Sequence, residues 1–190
     1  AIIMSATISS DIFKSYFKTE NSHHIEGNTY GKNIFYNNYK SDLNNVILSI
    51  LDSILDKSYL QNTNYQIIPE QDQLYETKDK DILIFLPTTK MITDLSKLIE
   101  NNSKYNNLKV LELYSALSDS KKEEITTKTV NYWKYKEGIN YIKKIVIATN
   151  IAETSLTIKD ITYVIDTGLQ NFKKLNIKNE SESMMILPTS

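Results

Sequence analysis

The sequence predicts an α/β domain: a parallel sheet with helices on both faces, followed by a C-terminal antiparallel β-hairpin. Three observations carry that expectation. Short runs rich in β-branched residues, 81–86, 110–113, 145–148 and 161–165, alternate with stretches of helical period. These runs are largely apolar at neighbouring positions, as strands covered on both faces are. The last stretches, 169–177 and 184–187, flank a polar turn at 178–183 with no helix between them.

Taken in order, Ile2, Ile3 and Met4 read as a buried strand running into the turn Ser5-Ala6-Thr7. Ser9 or Ser10 can cap a helix over 11–17, where Ile12, Phe13, Tyr16 and Phe17 recur at helical spacing. A polar stretch at 19–31 is followed by a short strand at 33–36 and an amphipathic helix at 42–57. The apolar face of that helix is Val46, Ile47, Ile50, Leu51, Ile54 and Leu55. Residues 58–80 show no period and are expected to be a loop or an insert of low order. The strand at 81–86 is stopped by Pro87, and Met91, Ile92, Leu95, Leu98 and Ile99 mark the helix after it. Ser118 is expected to cap a charged helix over 119–128. Tyr132-Trp133-Lys134-Tyr135-Lys136 interleaves rings and cations as single-strand binding platforms do. The favoured reading of that stretch is an exposed insert covering a sheet edge, with Trp133 buried beneath it.

Composition narrows the chemistry. The chain has 190 residues, enough for one domain or one and a fraction, and contains no Cys, which removes disulfides, thiolate metal sites and thiol nucleophiles. Its two His residues, His23 and His24, are adjacent and cannot assemble a multi-His metal site. All 22 basic residues are Lys, so no guanidinium fork can clamp a phosphate, and an arginine finger must come from another segment. Gly27, Gly31, Gly138 and Gly168 fit neither the dinucleotide fingerprint nor the phosphate-cradling loop. A net charge of −1 argues against a strongly basic nucleic-acid module. The pairs Lys143-Lys144 and Lys173-Lys174 are expected on a solvated face, with phosphate contact as the sharper alternative. No apolar run approaches the ~20 residues of a membrane span and no secretory signal is visible, so a soluble, intracellular chain with no membrane partner is expected.

The sharpest segment is residues 148–158, Ala-Thr149-Asn150-Ile-Ala-Glu-Thr-Ser155-Leu-Thr157-Ile. It follows a buried strand and gathers hydroxyl and amide side chains that can bond phosphate and ribose oxygens. This string closely resembles motif V of the DEAH-box RNA helicases, which the second of two RecA-like domains presents to RNA and nucleotide. Further landmarks follow in the family's order. Met4-Ser5-Ala6-Thr7 resembles motif III, 82–87 is similar to the motif IV strand, and Leu113-Tyr114-Ser115-Ala116-Leu117 resembles the next family stretch. Residues 163–168 and 186–188 resemble the segment that carries a β-hairpin beside the RNA path.

The resemblance implies the end of a first RecA-like domain at 1–20 and a second at 21–190, stopping before the arginine-bearing motif VI, so the chain is expected to be part of a longer ATP-dependent RNA helicase. It implies RNA backbone contact by Thr149 and Asn150, with Thr88, Lys173 and Lys174 on the RNA side. It implies nucleotide sensing by Ser155, coupling by Ser5 and Thr7, and nucleotide contact by Thr157, Asp160 and Thr126. ATP with Mg2+ is the implied cofactor, its phosphate and metal ligands lying in the first domain, so this chain alone is expected to be inactive. Implied partners are RNA, the other helicase domains and an activator protein, in a nuclear setting such as pre-mRNA splicing. Several positions depart from the pattern. Ile125-Thr126 stands where the family stacks an aromatic on adenine, and Lys159 where it has Asp, with Asp160 one residue on. Pro87-Thr88-Thr89-Lys90 replaces Thr-Gly-Gln-Glu, and Asn28 replaces Arg. Those departures motivate an alternative, an RNA-binding scaffold of the same fold without turnover.

Overall fold

The computed structural model describes residues 10–19, 21, 23, 33–36, 42–58, 66–69, 80–150, 156–176 and 181–189. The expected first strand and the capping Ser9 lie outside them. Helix α1 (Ser10–Phe17) forms as its spacing predicts, with Ile12, Tyr16 and Phe17 exposed. Strand β1 (Asn33–Tyr36) is followed by helix α2 (Leu43–Leu55), where the Asp42 carboxylate accepts from the Asn45 amide and so caps the first turn. Strand β2 (Gln66–Pro69) pairs antiparallel with β1, Asn33 opposite Pro69. This corrects the expectation of a loop throughout 58–80: a four-residue strand inside a polar stretch is too short to show a period.

The central sheet is built next. It contains β3 (Asp81–Phe85), then helix α3 (Thr89–Glu100) and β4 (Leu108–Leu113), then helices α4 (Asp119–Thr127) and α5 (Val130–Glu137), then β5 (Lys143–Ala148) and β6 (Ile161–Asp166). Its four strands run parallel in the order β4-β5-β3-β6. Alternate residues serve opposite faces. Ile82, Ile84, Val110, Ile145, Ile147 and Ile165 pack with Ile47, Leu51 and Ile54 of α2 and Ile92, Leu95 and Ile99 of α3. Leu83, Leu111, Leu113, Val146 and Ala148 pack on the other face with Ile125 of α4 and Trp133 of α5. The parallel sheet with helices on both faces is therefore as expected. Leu98 is a small correction, since it is 45% exposed rather than part of the apolar face of α3.

Two expectations on the second face change more. The aromatic–lysine stretch, expected as an insert at a sheet edge, takes the form of a helix against the edge strand β4, where Lys109 meets Trp133 and Glu137, and Trp133 is buried as expected while Tyr135 is exposed. Gly138 ends α5 in the left-handed conformation at φ +69°, its amide donating to the Lys134 carbonyl, the usual reason for glycine at a helix end. Ser118 sits at the cap of α4 but makes no side-chain cap bond. The second change is Lys143-Lys144, which lies buried at the start of β5 and not on a solvated face or at phosphate.

The hairpin forms as expected from β7 (Leu169–Asn176) and β8 (Ser181–Pro188), Leu169 opposite Pro188 and Asn176 opposite Ser181. Its base is tied to the end of β6. The Gly168 amide donates to the Asp166 carboxylate at 2.8 Å, and the Thr189 amide and hydroxyl both donate to the Gly168 carbonyl, at 2.8 and 3.1 Å. Gly168 has φ +63°, a value a side chain adopts only with strain.

Candidate functional site

Binding crevices of parallel sheets lie where strands end, because the loops there are released from the ladder. In this molecule β3, β5 and β6 finish side by side. The Leu86 amide donates to the Ala148 carbonyl at 2.9 Å, and the Thr149 amide to the Leu113 carbonyl at 3.2 Å. The Thr167 hydroxyl donates to the Phe85 carbonyl at 3.0 Å. Between them opens a cleft of about 400 Å³. Phe85, Leu86 and Pro87 form one wall, Asn150 and Asp166 the floor of strand ends, and Leu169, Gln170, Asn171 and Thr189 the hairpin side. The lining thus combines three carboxamide residues with an apolar wall, while the Asp166 carboxylate and the Thr189 hydroxyl are already bonded at Gly168. Among the described residues that line the cleft there is no Lys, and the carboxamides there can exchange hydrogen bonds with base edges and ribose hydroxyls.

Of the RNA-side residues named from sequence, Asn150 is exposed and lines the cleft, and Thr149 is half-buried beside it. Thr88 follows Pro87 at the same edge, but its hydroxyl accepts from the Met91 amide at 3.2 Å and so caps α3. Lys173 and Lys174 stand in β7 opposite Met184 and Ser183, and their side chains lie outside what the structure describes. Ser5, Thr7 and Ser155 also lie outside the described residues.

The nucleotide-side residues fall at the other end of the sheet. The Lys159 amide donates to the Thr126 carbonyl at 2.9 Å, which brings the 156–160 segment against the last turn of α4. Leu156 and Ile158 pack on the second core cluster, while Thr157 between them is exposed. Thr126 itself is 5% exposed, and its hydroxyl donates to the Lys122 carbonyl at 2.9 Å, back into its own helix. The proton of that hydroxyl is therefore used inside the helix. The Asp160 carboxylate is bonded to the Lys80 ammonium, and that bond holds it below the ordinary carboxylate range. The Asp160 carbonyl accepts from the Asp81 amide at 3.0 Å, where β3 begins. Among the described residues, Thr88, Thr149 and Asn150 thus lie at strand ends, and Thr126 and Asp160 at strand starts.

Sequence reasoning missed Asp166, Gln170, Asn171 and Thr189 as cleft residues. The signal was present in Asp166-Thr167-Gly168, a polar turn directly after a strand. Among the described residues no group of three or more His, Asp or Glu side chains is placed to hold a metal, and no helix is long and apolar enough to cross a membrane.

A parallel sheet sandwiched by helices, with a polar cleft at its strand ends and a hairpin rising from the last strand, is the architecture of a RecA-like helicase domain. The helicase conserved C-terminal domain family matches residues 64–184, and the chain belongs to that family, as a DEAH-box type sequence. It is 32% identical over 190 residues to the ATP-dependent RNA helicase HrpA of Borreliella burgdorferi, covering 100% of this chain and 20% of that protein. It is 30% identical over 180 residues to the human ATP-dependent RNA helicase DHX33, covering 92% and 22% respectively. An Arabidopsis thaliana relative, the pre-mRNA-splicing factor ATP-dependent RNA helicase DEAH10, is 27% identical over 194 residues, covering 100% and 23%. The chain thus spans about a fifth of the length of the curated relatives it matches. The crystal structure of the E. coli DExH-box NTPase HrpB superposes with a TM-score of 0.52 at 20% identity, over 80% of this chain and 15% of that one, and shares the fold.

Proposed function

We propose that this chain is the RNA-gripping part of an ATP-dependent RNA helicase that remodels RNA or ribonucleoprotein. Residues 1–20 would complete a first RecA-like domain and 21–190 form most of the second. Nucleotide binding between the two domains closes them. Thr149 and Asn150 then hold one strand of RNA at the strand-end cleft, and hydrolysis sensed at Ser155 shifts that hold, Ser5 and Thr7 coupling the first domain to it. ATP arrives with Mg2+, whose ligands belong to the first domain, and Thr157 and Asp160 lie on the nucleotide side. The remaining helicase domains and an activator protein are the partners, and a nuclear role in RNA processing, splicing included, is the setting.

The observation that carries the proposal is the exposed Asn150 side chain lining the strand-end cleft beside the amides of Gln170 and Asn171. The test is ATP turnover of the full-length protein with and without single-stranded RNA. Turnover stimulated by RNA, and lost unwinding with retained RNA binding in Ser155→Ala, is the expected result. RNA binding with no turnover would instead favour a scaffold of the same fold. That second reading has its own support in the buried Thr126, which leaves no aromatic ring where the family stacks adenine. Neither binding nor turnover would end both.

A further inference from the structure

The strand that leads into Thr149 and Asn150, β5, has as its second residue a lysine with no access to solvent. Lys144 is 0% exposed, and its ammonium donates to the Lys128 carbonyl at 2.8 Å and the Ile125 carbonyl at 3.3 Å, the last turn of α4 and its cap. The Asp81 carboxylate lies 3.9 Å from that ammonium, while its other oxygen accepts from the Lys144 amide at 2.8 Å. Burial pushes the lysine down and the aspartate up from their ordinary values, each toward the neutral form. A buried ammonium is costly, and an apolar side chain of the same length would pack there at lower cost. What such a side chain lacks is donors for two helix carbonyls that face the core.

Those carbonyls belong to a closed circuit. Between them in sequence, the Thr126 carbonyl accepts from the Lys159 amide. One residue on, Asp160 turns the chain at φ +66°, its carbonyl accepting from the Asp81 amide and its carboxylate bonded to Lys80. Lys143 donates to the Lys80 carbonyl at 2.9 Å, which ties the same corner once more. The residues after the RNA-side pair, 156–160, are thereby fastened to the base of the very strand that carries that pair at its tip.

We propose that Lys144 and Asp81 are positioning residues: by holding the end of α4 against β3 and β5, they fix residues 156–160 relative to Thr149 and Asn150. Neither group touches RNA or nucleotide. They act on the nucleotide-linked motion through the Thr126–Lys159 bond, so the functional half of the inference rests on the helicase reading.

The experiment compares the full-length protein with a double variant carrying Asp81→Asn and Lys144→Met. The first substitution retains a side-chain acceptor for the amide of residue 144 and the second retains side-chain length, so no unpaired buried charge remains to unfold the domain. Amide exchange is the first readout. The expected result is an increase of about tenfold or more in exchange at 156–160 with α3 unchanged, and an unfolding midpoint within about 5 °C of the parent. The second readout is kinetic: kcat for RNA-stimulated ATP turnover falls about tenfold while the RNA Kd and the KM for ATP hold. Unchanged exchange at 156–160, or a uniform rise across the domain, overturns the positioning role. Local loosening with unchanged kcat overturns its link to turnover. Should the unsubstituted protein itself show no RNA-stimulated turnover, the helicase reading fails, and the exchange pattern alone decides whether Lys144 fixes the segment.

Discussion

Strand β5 has polar residues at both ends, and the two ends do opposite work. At its start, Lys143 and Lys144 are buried and bonded to main-chain carbonyls. At its finish, Thr149 is half-buried and Asn150 exposed, with Asn150 lining the cleft. The difference follows from what each end of a parallel strand meets. Strand starts receive the C-terminus of a helix on the sheet face, where unpaired carbonyls and the negative end of the helix dipole stabilise a cation. Strand ends open into loops and helix N-termini, where Thr88 is used as the cap of α3 while Asn150 stays exposed and available to a ligand. Polarity in a sequence therefore does not by itself distinguish a binding group from one that is spent inside the fold.

The largest expected effect lies at the start of the strand. Lys144→Ala leaves the buried Asp81 carboxylate without its counter-charge and two α4 carbonyls without a donor, a loss of about 3–5 kcal/mol in denaturant unfolding. A loss below about 1 kcal/mol would mean the ammonium contributes little to holding this corner. At the other end the same kind of truncation should act on binding. Thr149→Ala keeps the amide bond to the Leu113 carbonyl, so stability should change by about 1 kcal/mol or less. Its RNA affinity should fall about three- to tenfold in a titration at fixed salt. An RNA affinity equal to the parent's would break the contrast between the two ends. Smaller again is Thr88, whose cap bond to the Met91 amide should make Thr88→Ala lose about 1 kcal/mol and Thr88→Ser recover most of it. If Thr88→Ser recovers stability but not RNA affinity, the methyl group of Thr88 takes part in the interface as well as the hydroxyl in the cap.

What is legible in the sequence divides along the two faces of the sheet. The first face is aliphatic and periodic: Ile47, Leu51 and Ile54 on α2 and Ile92, Leu95 and Ile99 on α3 announce helices by spacing alone. On the second face α4 buries only Ile125 and Thr126, and α5 only Trp133, too few apolar positions to set a period. Helix α5 therefore reads as an insert, and the buried pair Lys143-Lys144 reads as surface because charge is rarely placed inside. The motif around Thr149 and Asn150 is legible because its chemistry is local to one loop. The cleft opposite it is not, since Gln170, Asn171 and Thr189 reach Asn150 only through the hairpin register. For the same reason the motif order points Thr126 toward the nucleotide, while its hydroxyl is used by the Lys122 carbonyl one turn back.

The smallest effect separates charge from main chain at the corner where Asp160 sits. Asp160 is held below its ordinary pKa first by the hydrogen bond from Lys80, with the charges of Lys80, Lys144 and Lys159 acting in the same direction and partial burial opposing them. A carboxylate with a depressed folded-state pKa contributes stability that is fully present above its unfolded value of about 3.9, and that contribution is lost as pH falls through the folded value. Asp160→Asn removes the charge and keeps the turn, because Asn tolerates the left-handed conformation as Asp does. With both partners partly exposed, the difference from the parent should be about 0.5 kcal/mol from pH 7 to pH 5 and should vanish once pH falls below the folded value. A much larger difference that persists in acid cannot come from the charge, and would place the hold on 156–160 in the Asp160 carbonyl and the Asp81 amide instead.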